Sequence, residues 1–122
     1  MLNVKKTLTK VLEKITAHDV DYIVDEGTSG DSTYRKWNSG LAECWGTATN
    51  GSNGACTVTF PLTFTARPVC VASCCYLSSG TYVAPTVAVQ PNTTGVNFYT
   101  RVATSVVTQA HIINYEAKGT WK

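Results

Sequence analysis

The sequence predicts a mainly β chain, an antiparallel β-sandwich of about eight short strands preceded by a short N-terminal coiled-coil helix. Two observations predict this class. The apolar residues at the start recur with a helical period, whereas the later residues form short runs rich in Val, Thr, Tyr and Ile, separated by Gly, Pro, Asn and Ser turns. Charged residues make up only 15% of the 122 residues, as suits half-buried pleated surfaces. One domain is expected at this length.

The first element is a helix with the apolar seam of a coiled coil. Its apolar side chains recur at spacings of four, three and four, with one further residue widening the stripe: Val4, Leu8, Val11, Leu12 and Ile15. Because isolated helices shorter than ~12–15 residues are marginal in water, such a helix needs partners. We therefore predict residues 1–18 as a helical oligomerisation stem and residues 19–122 as a β-sandwich head. A lysine-rich amphipathic helix could instead lie on an anionic membrane, but no Trp or Phe accompanies the stripe.

The remaining elements are strands bounded by turn residues. Gly27–Gly30 is interpreted as a turn, and Arg67–Leu77, apolar on both faces, as a central strand. The predicted strands are Tyr22–Glu26, Thr33–Trp37, Leu41–Thr47, Cys56–Phe60, Arg67–Leu77, Tyr82–Gln90, Val96–Val102 and Ala110–Tyr115, the last of which extends towards Trp121.

Antiparallel strands place alternate loops at opposite poles of the head. The loops around Thr28, Gly51, Ser79 and Ser105 are expected at the pole far from the stem, and recognition commonly uses loops on a rigid scaffold. Aromatic faces stack on sugars, while amides and hydroxyls bind sugar hydroxyl groups. An ordinary polar loop is the competing interpretation. The candidate ligand-binding residues at this pole are Asn50, Ser52, Asn53, Tyr76, Ser79 and Tyr82.

Two tryptophans and five cysteines have structural interpretations. Trp37 and Trp45 flank one hairpin, so we expect them to pack in the core and across the strands. The cysteine spacing lacks paired metal knuckles, which predicts buried free thiols, with a disulfide or metal site as the alternatives. No cofactor is expected. The cysteines are Cys44, Cys56, Cys70, Cys74 and Cys75.

Catalysis is not indicated by the residues present. The two histidines, His18 and His111, have no nucleophile elbow to serve, because no G-x-S-x-G motif occurs. A glycan-cleaving enzyme would need two carboxylates facing one cleft, and the only acids in predicted strands beyond residue 30 are Glu43 and Glu116. We therefore predict a protein that is not an enzyme.

Nucleic acid and membrane insertion are also not predicted. The head is near neutral and carries no basic stripe for nucleic acid. No apolar segment approaches the ~20 residues of a membrane span, and no signal peptide is visible. We expect synthesis in a cytoplasm, with release only by lysis.

Two runs of the sequence are more specific than the composition. The first comprises Tyr22–Val24, Glu26–Gly30, Thr33–Trp37, Ser39–Gly40 and Ala42–Gly46, and the second comprises Val58–Pro61, Phe64 and Arg67–Pro68. Both runs resemble the head domain in tail-fibre and minor structural, receptor-binding proteins of phages and prophages of Gram-positive gut bacteria. The second run also resembles H-type lectin-like β-sandwiches, which assemble as trimers. The resemblance covers roughly residues 20–72.

The resemblance implies a component of a virion. It predicts a homotrimeric fibre or appendage tip that attaches to a bacterial surface glycan and contacts other virion proteins. Such a protein is made in the host bacterial cytoplasm and released by lysis. The alternative is a purely structural decoration or fibre protein without a ligand.

Overall fold

A computed structural model describes residues 4–16, 20–75, 85–102, 105–106 and 111–122 of the chain. Within these ranges one helix precedes nine strands, of which all but β8 contain five residues or more. The elements are α1 (Val4–Thr16), β1 (Ile23–Ser29), β2 (Ser32–Trp37), β3 (Leu41–Thr49), β4 (Ala55–Thr59), β5 (Val69–Cys75), β6 (Thr86–Pro91), β7 (Gly95–Val102), β8 (Ser105–Val106) and β9 (Ile112–Thr120).

The strands form two antiparallel sheets. The five-stranded sheet has the order β1-β2-β3-β9-β5, and the other has the order β4-β7-β6 with β8 pairing with β7. Every strand pair is antiparallel. The prediction of a mainly β chain with antiparallel sheets and one short N-terminal helix is confirmed.

Three strand predictions need correction. β1 runs through the predicted Gly27–Gly30 turn to Ser29, because Thr28 and Ser29 pair with β2, and the chain turns at Gly30 with a φ of 58°. Ser105, predicted to lie in a loop, begins β8, which pairs with β7. β9 reaches Thr120, in agreement with the predicted extension towards Trp121. β5 is an outer strand of its sheet and not a central one, and it leaves Val69 and Val71 exposed.

The core lies between the inner faces of the two sheets. Period-two alternation along β9 buries Ile113, Tyr115 and Ala117, and the same alternation along β7 buries Val96 and Phe98. The connection between β4 and β5 closes one end of this core, where three of its apolar side chains are buried: Phe60, Leu62 and Phe64. Aromatic rings meet edge to face there, with the Phe60 and Phe64 centroids 5.4 Å apart.

The loops segregate to two poles, as the predicted alternation requires. At one pole, which we call the stem pole, the chain joins β1, and the Asn38 amide donates to the Tyr22 carbonyl at 2.9 Å. The Ser39 hydroxyl donates to the Asp21 carboxylate at 2.6 Å at the same pole. The nine residues of β3 separate the stem pole from the 50–54 loop by roughly 30 Å. That loop marks the distal pole.

Helix α1 presents an exposed apolar stripe. Val4, Leu8, Val11 and Leu12 are 49–62% exposed, although they share one helical face. The observed helix is shorter than the predicted stem, and the side chain of Ile15 lies outside the described residues. Across the described ranges, no helix is long and apolar enough to cross a bilayer.

Candidate functional site

The distal 50–54 loop is a compact turn held by its own backbone. The Gly54 amide donates to the Gly51 carbonyl at 2.9 Å, and the Gly51 amide donates to the Ala55 carbonyl at 2.9 Å. The Asn53 side-chain oxygen accepts a hydrogen bond from the Ala55 amide at 3.1 Å. Ser52 and Asn53 are exposed at the tip. These two predicted ligand residues therefore lie together on the distal surface.

Asn50 has a structural role in place of the predicted ligand contact. Its side chain is 4% exposed, and its Nδ2 group donates to Thr100 Oγ1 at 3.1 Å. Its Oδ1 atom accepts a hydrogen bond from the His111 backbone amide. Thr100 in turn donates to the Gly54 carbonyl at 2.8 Å. Because these bonds join the loop to β7 in one sheet and to the start of β9 in the other, the amide serves the fold.

The other three predicted ligand residues are Tyr76, Ser79 and Tyr82. They lie outside the residues that the structure describes. The structure therefore brings together Ser52 and Asn53 from the predicted set and moves Asn50 into the interior. The role of the remaining three stays a prediction.

A second feature lies on the outer face of the five-stranded sheet, where β2, β3, β9 and β5 line a cleft of about 570 Å³. In its central row Trp45 on β3 lies opposite Glu116 on β9, and Glu116 lies opposite Val71 on β5. We call this feature the lateral cleft. Its lining residues are Arg35, Glu43, Trp45, Val71, Ala72, Ser73, Asn114, Tyr115 and Glu116.

A row of alternating charge borders the lateral cleft. Glu26, Arg35, Glu43 and Lys118 lie opposite one another in register across β1, β2, β3 and β9. The Arg35 guanidinium pairs with Glu26 at 3.3 Å and lies 5.3 Å from the Trp45 ring centroid. The Lys118 ammonium pairs with Glu116 at 3.0 Å, and this hydrogen bond raises the pKa of Lys118.

Sequence reasoning missed this cleft and misplaced its tryptophan. Trp45 and Trp37 were expected in the core, but neither belongs to the buried core, and Trp45 packs on the outer face under Arg35. The sequence contains one signal that could have predicted the cleft. Glu43 and Trp45 are two residues apart on one strand, as are Asn114 and Glu116 on another, so each pair shares the outward face of its strand.

The two carboxylates in the cleft bear on the enzyme question. Glu43 and Glu116 line the same cleft, as a glycan-cleaving enzyme would require. A general acid is typically held in an apolar pocket, whereas Glu116 pairs with Lys118 and its side chain is 44% exposed. The cleft therefore has acceptors for hydrogen bonds but lacks the apolar enclosure of a catalytic acid.

All five cysteines are free. Burial raises the pKa of the Cys44 thiol from its ordinary 9.0 to about 12 and that of Cys70 to about 11, so both are poor nucleophiles. Cys75 departs from the predicted burial: it is exposed, and Asn114 donates to its sulfur at 2.6 Å. Within the described ranges, no three His, Cys, Asp or Glu side chains converge on a position for a metal ion.

Solved structures with this fold come from pyocin fibres. The R2 pyocin fibre of P. aeruginosa, C-terminal residues 323–691, is 19% identical with a TM-score of 0.62; the match covers 88% of this chain and 28% of that chain. The R1 pyocin fibre of P. aeruginosa, residues 323–701, is 21% identical with the same TM-score over 88% and 30% of the two chains. An N-truncated R1-type pyocin tail fibre is 20% identical with a TM-score of 0.59, over 91% and 94%.

Our chain thus spans less than a third of the two longer fibre fragments. No protein of curated function matches the sequence. The family model described as tail fiber protein gp53-like, C-terminal, matches residues 36–120, which include eight of the nine strands wholly or in part. The chain belongs to the Gp53-like C-terminal family of tail fibre proteins.

Proposed function

We propose that this chain is the head of a homotrimeric fibre that attaches a virion to a glycan on the host cell surface. Family membership makes it a phage-type structural fibre protein. The main supporting observation is that the chain entry and the exposed 50–54 loop lie at opposite ends of the head. The chain enters at the stem pole beside Ser39, and the exposed tip of the 50–54 loop lies at the other end of β3. Such a head presents its loops away from the fibre that carries it.

The helix supports the trimer part of the proposal. Its stripe of Val4, Leu8, Val11 and Leu12 is exposed in a single chain, although apolar residues at coiled-coil spacing are typically buried against neighbouring helices. We propose that three chains bury this stripe together, with Ile15 continuing the seam. The trimer number comes from the resemblance to trimeric heads with a β-sandwich arrangement.

Glycan attachment fits an assembly of several weak sites. Linking sites can raise avidity over single-site affinity by about 10²–10⁴-fold. Ser52 and Asn53 supply exposed polar groups at the distal pole, and we propose that Tyr76, Ser79 and Tyr82 add to this surface. A Gram-positive host and a kinship with H-type lectins are further proposals from the resemblance. The second candidate, a purely structural fibre segment, shares the same stem but needs no ligand.

The trimer is tested by light scattering of the full chain and of a double variant, Leu8→Asp with Leu12→Asp. The wild-type chain is expected at three times the mass of one chain, and the double variant at a lower mass, because two carboxylates cannot be buried in an apolar seam. Lys10→Asp is the matched control, since it places the same carboxylate off the stripe and should keep the trimer. A wild-type chain at the mass of one chain would contradict the proposal.

The glycan part is tested by applying the wild-type chain to an array of bacterial surface glycans. Binding that weakens in an Asn53→Ala variant supports attachment through the distal pole. A trimer that binds no glycan on the array supports the purely structural fibre protein instead. Circular dichroism of the variant checks that the loop substitution leaves the sheets intact.

A further inference from the structure

We propose that the lateral cleft is a second saccharide site, one that binds neutral or amino sugars and discriminates against acidic ones. The site is distinct from the distal loops, because it lies on the outer face of the five-stranded sheet. Its volume of about 570 Å³ falls within the ~300–1,000 Å³ of small-molecule sites. It also combines an aromatic side chain with polar groups from three strands, which is the composition that sugar recognition uses.

The polar groups left for a ligand are mostly hydrogen-bond acceptors. Among the described residues, no hydrogen bond or ion pair engages the Glu43 carboxylate, the Ser73 hydroxyl or the Asn114 side-chain oxygen. The Asn114 amide group is already used, since it donates to the Cys75 sulfur. A matching ligand must therefore offer several donors, as the hydroxyl and amine groups of a pyranose do.

The charges of the cleft disfavour an acidic sugar. Its two nearby cations are already paired, Arg35 with Glu26 and Lys118 with Glu116. Glu43 lies between them in the charged row and interacts electrostatically with Lys118, so three carboxylates, including Glu26 and Glu116, accompany two cations at the cleft. A uronate or phosphate brought into the cleft would face this carboxylate, whereas an ammonium group would be attracted to it.

Trp45 supplies the apolar surface of the site. It lies in the central row between Thr33 and Glu116 and is only partly covered by Arg35. Its indole nitrogen has no hydrogen-bond partner among the described residues. A sugar in the cleft can therefore pack on part of the ring and accept a hydrogen bond from that nitrogen. A subunit interface is the competing use of this face, but the exposed valines, Val69 and Val71, lie only along its β5 side.

The test is a sugar titration of the full-length chain, labelled with nitrogen-15 and followed by NMR. The probes are methyl glucoside, N-acetylglucosamine, glucosamine and glucuronic acid, and a Trp45→Phe variant assigns the indole signal. The first three sugars are expected to shift the Trp45 indole and Asn114 amide signals in a saturable way. Glucuronic acid is expected to bind about tenfold more weakly, because it brings a carboxylate next to Glu43.

Two variants and one control distinguish sugar binding in the lateral cleft from sugar binding at the distal loop. Trp45→Ala should abolish the shift of the Asn114 amide, and Glu43→Gln should weaken glucosamine binding about fivefold more than methyl glucoside binding. Lys5→Ala, on the exposed polar side of α1 and outside both sites, is the control and should change neither titration. Thermal melts of each variant confirm that the fold is retained.

Three results would overturn the proposal. The first is that no probe shifts the Trp45 signal. The second is that glucuronic acid binds as well as the other sugars. The third is that Trp45→Ala lowers the mass in solution, which would make the cleft a subunit interface. The trimer proposal is tested separately by light scattering. If the wild-type chain has the mass of a monomer but still binds sugar at Trp45, the trimer proposal is wrong and the proposal of a sugar site stands.

Discussion

The two faces of the five-stranded sheet use the same strands for opposite purposes. On the inner face Cys44, Ile113 and Ala117 are fully buried between the sheets. On the outer face the neighbouring Glu43 and Trp45 keep contact with solvent and line the lateral cleft. Because side chains alternate between faces, a single residue step along β3 or β9 moves from the core to a surface open to a ligand. Substitutions on the outer face can therefore test the proposed sugar binding without disturbing the core.

The largest expected difference in stability between the two faces comes from truncating two adjacent isoleucines. Ile113→Ala opens a cavity in the core and should lower the free energy of unfolding by about 2–5 kcal/mol. Ile112→Ala is the matched control, since its side chain lies on the outer, partly exposed face and should lose about 1 kcal/mol. Urea unfolding followed by circular dichroism measures both. Equal losses would show that the two faces do not differ in packing.

Removal of the buried amide at the distal pole should have the next largest effect. Asn50→Ala removes the buried acceptor of the His111 backbone amide and the buried donor to the Thr100 hydroxyl, which should cost about 1–3 kcal/mol of stability. Ser52→Ala, two residues away and exposed, should stay within about 0.5 kcal/mol of the wild type. Thermal melts distinguish the two. A neutral Asn50→Ala variant would contradict the structural role assigned to this residue.

Alkaline pH should lower the stability of the fold through the buried thiol of Cys44 on the inner face. The pKa of Cys44 rises from 9.0 to about 12 in the folded chain, mainly because the thiol is buried. Above pH 9 the unfolded chain loses this proton while the folded chain keeps it, so stability should be complete below pH 9 and decline towards pH 12. Urea midpoints at pH 8 and pH 10 measure the decline. Cys44→Ala should reduce the decline in stability, while the exposed Cys75→Ala variant should leave it unchanged. A Cys44→Ala variant with the same decline as the wild type would contradict the role of the Cys44 thiol.

The smallest expected effect comes from the charged row of the outer face. Lys118→Ala removes an exposed ion pair with Glu116, and such pairs contribute little to stability because water screens both charges. The difference from the wild type should shrink further as salt is added, because the pair is screened. Denaturation at low and high salt measures it. A loss comparable to that of Ile113→Ala would mean that the outer face is part of the stabilising core.

The sequence predicted local properties of the fold better than its long-range pairings. Strand alternation predicted most of the described strands and the opposite poles of the 38–40 and 50–54 loops, but not β8, because Ser105 was predicted to lie in a loop. β5 was misassigned as central because a long apolar run does not show which strands flank it. The last strand was expected to continue beyond Tyr115 towards Trp121, and β9 ends at Thr120.

The site was less predictable because it depends on residues far apart in the chain. The lateral cleft joins Trp45, Ser73 and Asn114, which only the β3-β9-β5 order brings together. Asn50 has the composition of a ligand-binding loop residue, and its burial follows from Thr100 and His111, which no local pattern connects to it. Ser52 and Asn53 lie exposed in the 50–54 loop, and their role in binding stays a prediction.

The antiparallel path from the stem pole to the distal loop also determines how the head would carry a mechanical load. A host bound at the 50–54 loop and a fibre pulling on the start of β1 would draw β1 and β3 in opposite directions along their lengths. Interstrand hydrogen bonds run perpendicular to the strands, so those joining β1 to β2 and β2 to β3 would be sheared together instead of opened one at a time. An attached head of this design resists detachment of its virion by sharing the force across a whole sheet.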